Sequence, residues 1–180
     1  DILRIGGKGL DQAGYDLLGI VTGSEGLLGI VTEVTVRILR KPETARALLL
    51  GFNSSEEGGN CVAAIIAAGI IPGGLEMMDA PAIKATEEFV QAGYPLDVEA
   101  LLLVELDGPQ VEVDYLIDRV GKIAKDCGAV YSRISENEEE RLLFWSGRKN
   151  AFPAIGRISP DYMCMDGTIP RGRLSEVLTG

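Results

Sequence analysis

From Ala100 to Leu106 the chain reads Ala-Leu-Leu-Leu-Val-Glu-Leu, an apolar run broken by a single carboxylate. A run of that length and character, opening at Glu99, is expected for a buried central strand. Such a strand needs partners, and three further segments read as strands: Ala45 to Phe52, Gly74 to Met78 and Ala129 to Ile134.

Helical patterns lie between them. Ser54 and Glu57 form a Ser-x-x-Glu capping box, followed by Val62, Ile65, Ile66 and Gly69 on one face and closed by Ile70-Ile71-Pro72. Ala80 to Ala92 reads as a helix closed by Gly93. Pro109 opens another, with Val113, Leu116, Ile117, Val120, Ile123, Ala124 and Cys127 on one face and Gly128 at its end. Ser135 and Glu138 suggest a second capping box and a helix running to about Lys149. The order over residues 44–134 is βαβ, an extra helix, then βαβ. That predicts an α+β fold: a ferredoxin-like antiparallel sheet with helices on one face.

The N-terminal stretch is different. Eight of the 23 glycines precede Pro42. Leu17 to Thr22 is apolar, Gly23-Ser24-Glu25-Gly26 interrupts it, and Ile30 to Ile38 alternates with period two, which predicts a strand. Arg40-Lys41-Pro42-Glu43 is a polar break suited to a domain boundary. The chain opens in a glycine-rich stretch without Met and closes inside an apparent helix that begins near Arg171, so it reads as an internal piece of a longer protein.

Composition narrows the chemistry. There are 17 Lys and Arg against 27 Asp and Glu, a net charge of −10. That argues against nucleic acid and against an anionic membrane surface as partners. No apolar run approaches the ~20 residues that span a bilayer. The three cysteines (Cys61, Cys127, Cys164) are odd in number and far apart, which favours a reducing compartment, the cytoplasm, over a disulfide framework. There is no histidine, which removes His-dependent nucleophilic, acid–base and zinc chemistry from this chain.

Three places could carry chemistry. Glycines in Gly23-Ser24-Glu25-Gly26-Leu27-Leu28-Gly29 let the backbone approach a ligand, and consecutive amides there could hold phosphate oxygens. The spacing does not fit the dinucleotide fingerprint Gly-x-Gly-x-x-Gly, and a tight turn between strands explains it as well. Arg141, Trp145 and Arg148 fall on one side of a helix, where a guanidinium beside an aromatic ring could clamp a carboxylate. A solvated basic edge with Trp145 in the core is the plainer alternative. Asp161 to Asp166 alternates and reads as a strand able to carry Tyr162 or Cys164 into a cavity, although a cysteine there is more often packing. Glu76 and Asp79 are weak evidence for a metal site.

Gly14-Tyr15-Asp16-Leu17, Gly23-Ser24-Glu25-Gly26 and Leu28-Gly29-Ile30-Val31-Thr32-Glu33-Val34-Thr35-Val36 resemble the end of the FAD-binding domain of vanillyl-alcohol-oxidase-type flavoproteins. Gly69-Ile70-Ile71-Pro72, Leu75-Glu76-Met77-Met78-Asp79, Arg148-Lys149-Asn150-Ala151-Phe152-Pro153-Ala154, Ile158 to Tyr162 and Asp166 to Arg171 resemble the group of FAD-linked oxidases that holds glycolate oxidase and D-lactate dehydrogenase. The resemblance implies residues 1–41 as the end of the FAD-binding domain and 42–180 as the N-terminal part of a substrate, or cap, domain. It implies an FAD-dependent oxidation of a 2-hydroxy acid, of glycolate or D-lactate type, to a 2-oxo acid by hydride transfer to flavin. Gly23, Ser24, Glu25, Gly26, Gly29 and Ile30 would lie against FAD. Arg148 would pair with the substrate carboxylate, with Tyr162 and Cys164 beside it. Other oxidase subunits are conceivable partners.

Two departures follow. The histidines that bind a divalent metal and take the hydroxyl proton in relatives would have to lie outside this chain, and a lysine that joins the arginine in some relatives is replaced near Cys164. The fragment alone is therefore expected to be inactive and to hold FAD poorly. The alternative is a ferredoxin-like ligand-binding or regulatory module without catalysis, since that plan hosts many functions. A structural partner protein that has lost its catalytic half is a third reading.

Overall fold

The computed structural model describes residues 2–7, 9 and 14–179. The chain forms two compact units, Asp1–Arg40 and Lys41–Gly180.

In the second unit four strands form one antiparallel sheet: β1 (Thr44–Phe52), β2 (Gly74–Asp79), β3 (Ala100–Gly108) and β4 (Tyr131–Ile134), in the order β2-β3-β1-β4. The expected ferredoxin-like order is present. β1 and β3 pair over nine residues, Thr44 opposite Gly108 through Phe52 opposite Ala100. Their register places Leu48 against Val104 and Leu50 against Leu102.

Because side chains alternate across a strand, this register sorts the core into two layers. Leu48, Leu50, Phe52, Leu102 and Val104 pack with Cys61 and Ile65 of α2 (Ser55–Ala67) and with Val113, Ile117, Val120 and Ala124 of α4 (Gln110–Asp126). These are the two helices that the ferredoxin-like plan puts on one face. The opposite face carries helices as well, beyond the one-faced plan. Ala47, Leu49, Leu101 and Leu103 pack with Ile83 of α3 (Ala80–Val90) and with Phe144 and Trp145 of α5 (Glu138–Lys149). The physical reason lies in β1 and β3 themselves. Leu48, Leu49 and Leu50, and Leu101 through Val104, are apolar on both faces, so both faces had to be removed from water.

Helix starts follow local chemistry. Ser54 Oγ accepts from the Glu57 amide at 3.1 Å, while Glu57 Oε2 reaches back to the Asn53 amide at 3.1 Å, so the first capping box forms. The second does not. Asn137 caps α5, accepting from the Glu140 amide at 2.9 Å. Ser135 is buried, and its Oγ accepts from the Ala47 amide at 3.0 Å, which ties the chain beyond β4 to β1. Gly128 follows α4 with φ of 92°, as expected. Gln91 rather than Gly93 takes the left-handed cap of α3, with φ of 56°. A helix that the sequence pattern did not predict, α6 (Ala151–Ile158), follows α5 directly, with Pro153 in its first turn where no intrahelical donor is lost. A 3₁₀ turn at Arg171–Arg173 leads to α7 (Leu174–Thr179), which lies against α2.

Among its described residues the first unit has one short helix, α1 (Leu17–Val21), capped by Asp16, whose Oδ1 accepts from the Gly19 amide at 2.9 Å. The strand expected over Ile30 to Ile38 is absent: the segment pairs with nothing among the described residues and its side chains are exposed. Asp161 to Asp166 likewise forms no strand. Alternation and β-branching favour extended backbone, but a strand exists only where a neighbour accepts its hydrogen bonds.

Leu50→Ala opens a cavity between β1 and the α2/α4 layer and should cost about 2–5 kcal/mol, read as a lowered urea midpoint with unchanged slope. Leu142→Ala, on the half-exposed side of α5, should move stability by less than about 0.5 kcal/mol.

Candidate functional site

α5 brings its arginines to the sheet through two carboxylates on neighbouring strands. Glu105, the one polar residue in the central run, accepts from both Arg141 and the Trp145 indole Nε1. Arg141 is also held by a two-pronged contact to Glu138, Nε to Oε2 at 2.8 Å and Nη2 to Oε1 at 2.7 Å. That contact, with Glu105 behind it, raises the Arg141 pKa above the ordinary guanidinium value and lowers that of Glu138. The Trp145 ring lies over Gly74 at the start of β2, where a Cβ would fall 2.5 Å from the ring. Trp145 is therefore partly core, and it is also a donor to Glu105.

Arg148, one turn further, turns to β2. Its Nε donates to Glu76 Oε2 at 3.2 Å, and its Nη2 lies 3.1 Å from the same oxygen as an ion pair. The Arg148 side chain is 33% exposed and that of Glu76 41%. Solvent screens such a pair, so it contributes at most about 1 kcal/mol to stability. The expected one-sided clamp is thus split: Arg141 and Trp145 are committed to Glu105, and Arg148 rests on Glu76, its Nη1 making no hydrogen bond among the described residues. Asp79 does not join Glu76; its Oδ1 accepts from the Ala82 amide at 3.0 Å and caps α3. No cluster of metal-ligating side chains occurs among the described residues.

The last turn of α5 has a further contact. The buried Tyr94 hydroxyl donates to the Phe144 carbonyl. Burial pushes the Tyr94 phenol above its ordinary pKa, so it remains a neutral donor.

The other expected substrate residues stand apart from Arg148 in their contacts. Tyr162 is exposed and stacks on Phe152, ring centroids 6.4 Å apart. Cys164 is exposed and free. No hydrogen bond or ion pair of the described residues joins Arg148, Tyr162 and Cys164. Arg157 lies over the Phe89 ring at 5.5 Å, and Arg173 pairs with Glu176 at 3.4 Å. The Arg171 side chain lies outside the described residues. An open cleft of about 760 Å³, lined by Lys41, Arg46, Glu105, Asp107, Glu138 and Arg141 among others, lies beside the Arg141 end of α5 and does not include Arg148.

All three cysteines are free. Cys61 is buried next to Cys127, and burial, then the neighbouring thiol, pushes its pKa up to about 12. It is an inert core group.

In the first unit the glycine-rich loop turns sharply: φ is 80° at Gly23, 51° at Glu25 and 81° at Gly26. The left-handed backbone expected there is present, even at the non-glycine Glu25. The Ser24 amide donates to the Val21 carbonyl at 3.1 Å, and Leu27 to Ser24 at 2.9 Å. A Cβ added at Gly23, Gly26 or Gly29 would meet nothing within 4 Å. Ile30 is exposed beyond the loop.

Residues 41–180, the whole of the sheet unit, match the family described as FAD linked oxidases, C-terminal domain. The chain belongs to that family. The glycolate oxidase subunit GlcD of Escherichia coli strain K12 is 57% identical over 180 residues, all of this chain and 36% of that protein. Its counterpart of the same name in Bacillus subtilis strain 168 is 38% identical over 99% of this chain and 38% of its own length. A probable mitochondrial D-lactate dehydrogenase of Danio rerio is 28% identical over 98% of this chain and 36% of its own. The chain thus spans little more than a third of the curated relatives it matches. Among solved structures, an alkyldihydroxyacetonephosphate synthase shares the fold with a TM-score of 0.58 at 20% identity, over 83% of this chain and 31% of that one. The α+β architecture is that of FAD-linked oxidases. No helix of the described residues is long and apolar enough to cross a membrane.

Glu105 supports both Arg141 and Trp145 from a mostly buried position, so Glu105→Ala should destabilise by about 1–3 kcal/mol, while Glu76→Ala, at the exposed pair, should cost no more than about 1 kcal/mol. Thermal melts of the two variants would show the order.

Glu140 accepts from the Glu136 amide at 2.6 Å and pairs with Arg133, and these contacts, the amide first, lower its pKa. Its contribution is therefore complete above the ordinary glutamate value of about 4.3 and lost as pH falls through the lower folded value. Denaturation of wild type and Glu140→Gln from pH 7 to 3 should give a difference that shrinks toward acid. A difference constant with pH would contradict this assignment.

Proposed function

We propose that this chain is a segment of an FAD-dependent oxidoreductase that converts a 2-hydroxy acid of glycolate or D-lactate type to the 2-oxo acid. The match of residues 41–180 to the FAD-linked oxidase C-terminal family carries this reading, and the identity to the two bacterial glycolate oxidase proteins supports it. In this proposal residues 1–41 are the end of the FAD-binding domain and 42–180 the N-terminal part of the substrate domain. The division of the chain at Arg40 and Lys41 and the start of the family match at residue 41 agree with it.

The residues present suit the cofactor. Gly23 to Gly26 offer a left-handed turn without Cβ obstruction, which lets backbone amides approach an anionic group closely. We assign Gly23, Ser24, Glu25, Gly26, Gly29 and Ile30 to FAD contact. FAD supplies the acceptor for the α-carbon hydride, chemistry that belongs to the cofactor.

Arg148 is the group assigned to the substrate carboxylate. Its guanidinium is a fixed charge with a planar set of donors, one-third exposed, with an unpaired nitrogen. Tyr162 and Cys164, both exposed, are assigned beside the substrate once the rest of the protein encloses it. With no histidine in this chain, removal of the hydroxyl proton and any divalent metal are assigned to residues outside it. The naming of the bacterial relatives as subunits supports assembly with other oxidase subunits. The three free cysteines support a cytoplasmic location.

The test is anaerobic mixing of the complete polypeptide with glycolate, D-lactate and D-2-hydroxyglutarate. At least one should bleach the flavin, and Arg148→Lys should raise the concentration needed by about tenfold or more. Retained flavin that none of the acids bleaches would refute the assignment. The isolated 180-residue chain should purify without a flavin absorbance band.

A further inference from the structure

In an uninterrupted α-helix the carbonyl of residue 144 accepts from the amide of residue 148. In α5 the Phe144 carbonyl also receives a side chain from elsewhere. The Tyr94 hydroxyl donates to this carbonyl, the acceptor at the base of the turn carrying Arg148.

The hydroxyl reaches this position because residue 147 has no side chain. A Cβ at Gly147 would fall 2.2 Å from the Tyr94 oxygen. Tyr94 is itself anchored: its amide donates to Glu87 Oε2 at 3.0 Å, and the Gly93 amide donates to Glu87 Oε1 at 3.1 Å. Glu87 belongs to α3. The last turn of α5 is thereby pinned to the α3–β3 connection.

The guanidinium is held separately. Glu76 Oε2 accepts from Nε and ion-pairs with Nη2, and among the described residues no hydrogen bond is made by Nη1. The exposure of this pair means that it adds little stability, so its consequence is orientation. A donor already fixed in direction loses less freedom when a ligand binds.

We propose that Tyr94 and Glu76 are positioning residues for Arg148: Tyr94 sets the backbone turn that carries it, and Glu76 sets the plane of the guanidinium so that its Nη1 edge faces a carboxylate-bearing ligand. This rests on Arg148 being the carboxylate-binding group proposed above. Glu76 acts here as an acceptor, and its charge opposes the anionic ligand only weakly through solvent.

The test uses the complete polypeptide, with steady-state oxidation of whichever acid bleaches the flavin and an artificial electron acceptor. Tyr94→Phe and Glu76→Ala should each raise KM about three- to tenfold, with kcat changed less than about twofold, the signature of lost binding that is equal in ground and transition states. Glu76→Gln keeps an acceptor oxygen and should restore KM to near wild type. In an Arg148→Lys background the added effects of Tyr94→Phe and Glu76→Ala should vanish, which a merely structural role would not produce.

Unchanged KM in both Tyr94→Phe and Glu76→Ala, with Arg148→Lys impaired, overturns the positioning proposal alone. So does an increase that persists in the Arg148→Lys background, or a Glu76→Gln variant as impaired as Glu76→Ala. An unimpaired Arg148→Lys overturns the carboxylate reading and this proposal with it. If Tyr94→Phe fails to fold, Glu76→Ala at the exposed pair carries the test.

Discussion

The nine-residue antiparallel pairing of β1 with β3 is the constraint on which the sheet unit depends. Both strands are apolar on both faces at their centres, with Leu48 to Leu50 and Leu101 to Val104 fully or almost fully buried. Neither face can be left to water, since each buried leucine or valine contributes roughly 1.5–3 kcal/mol relative to exposure. One face recruits α2 and α4, the other α3 and α5. α5 is thus placed by the same hydrophobic demand that closes the core, and Arg148 with it. Phe144 sits in that second layer, and the carbonyl that Tyr94 grips belongs to the same residue.

Electrostatics then divides α5 by depth. Glu105, 18% exposed, binds two donors and is part of how the helix is held down. Glu76, 41% exposed, holds Arg148 in a place that water reaches. A deeply committed guanidinium, like that of Arg141, has three carboxylate contacts to lose before it could serve a ligand. Arg148 has one carboxylate partner and a spare nitrogen. The two arginines share a helix face in the sequence pattern, yet Arg141 is held by two carboxylates and Arg148 by one, at a more exposed position.

The first unit shows the complementary situation. Ile30, Val31, Val34, Val36 and Ile38 carry the alternation of a strand but remain exposed, without a strand partner among the described residues. Local preference for extended backbone is present without the neighbour whose carbonyls and amides would complete a ladder. The turn at Gly23 to Gly26, by contrast, forms without any neighbour, since glycine removes the steric bar to positive φ within the residue itself. Asp161 to Asp166 resembles the first case: the alternation is there and the partner is not.

The amino-acid sequence by itself determined whatever depends on a few adjacent residues: the four strands of the sheet, the Ser54 cap with Glu57, the Gly128 stop, the turn at Gly23, and, through the motifs around Gly69 to Asp79 and Arg148 to Pro170, the family. Tertiary structure alone decided the rest. It made Asn137 the cap of α5, because the Ser135 hydroxyl was already drawn to the Ala47 amide across the sheet. It covered both faces of the sheet, and it assigned Glu105 to Arg141 and Trp145 but Glu76 to Arg148. It also drove Tyr94 into the turn before Arg148. These are contacts between residues dozens of positions apart, and their energies depend on distance and burial, which no local pattern encodes.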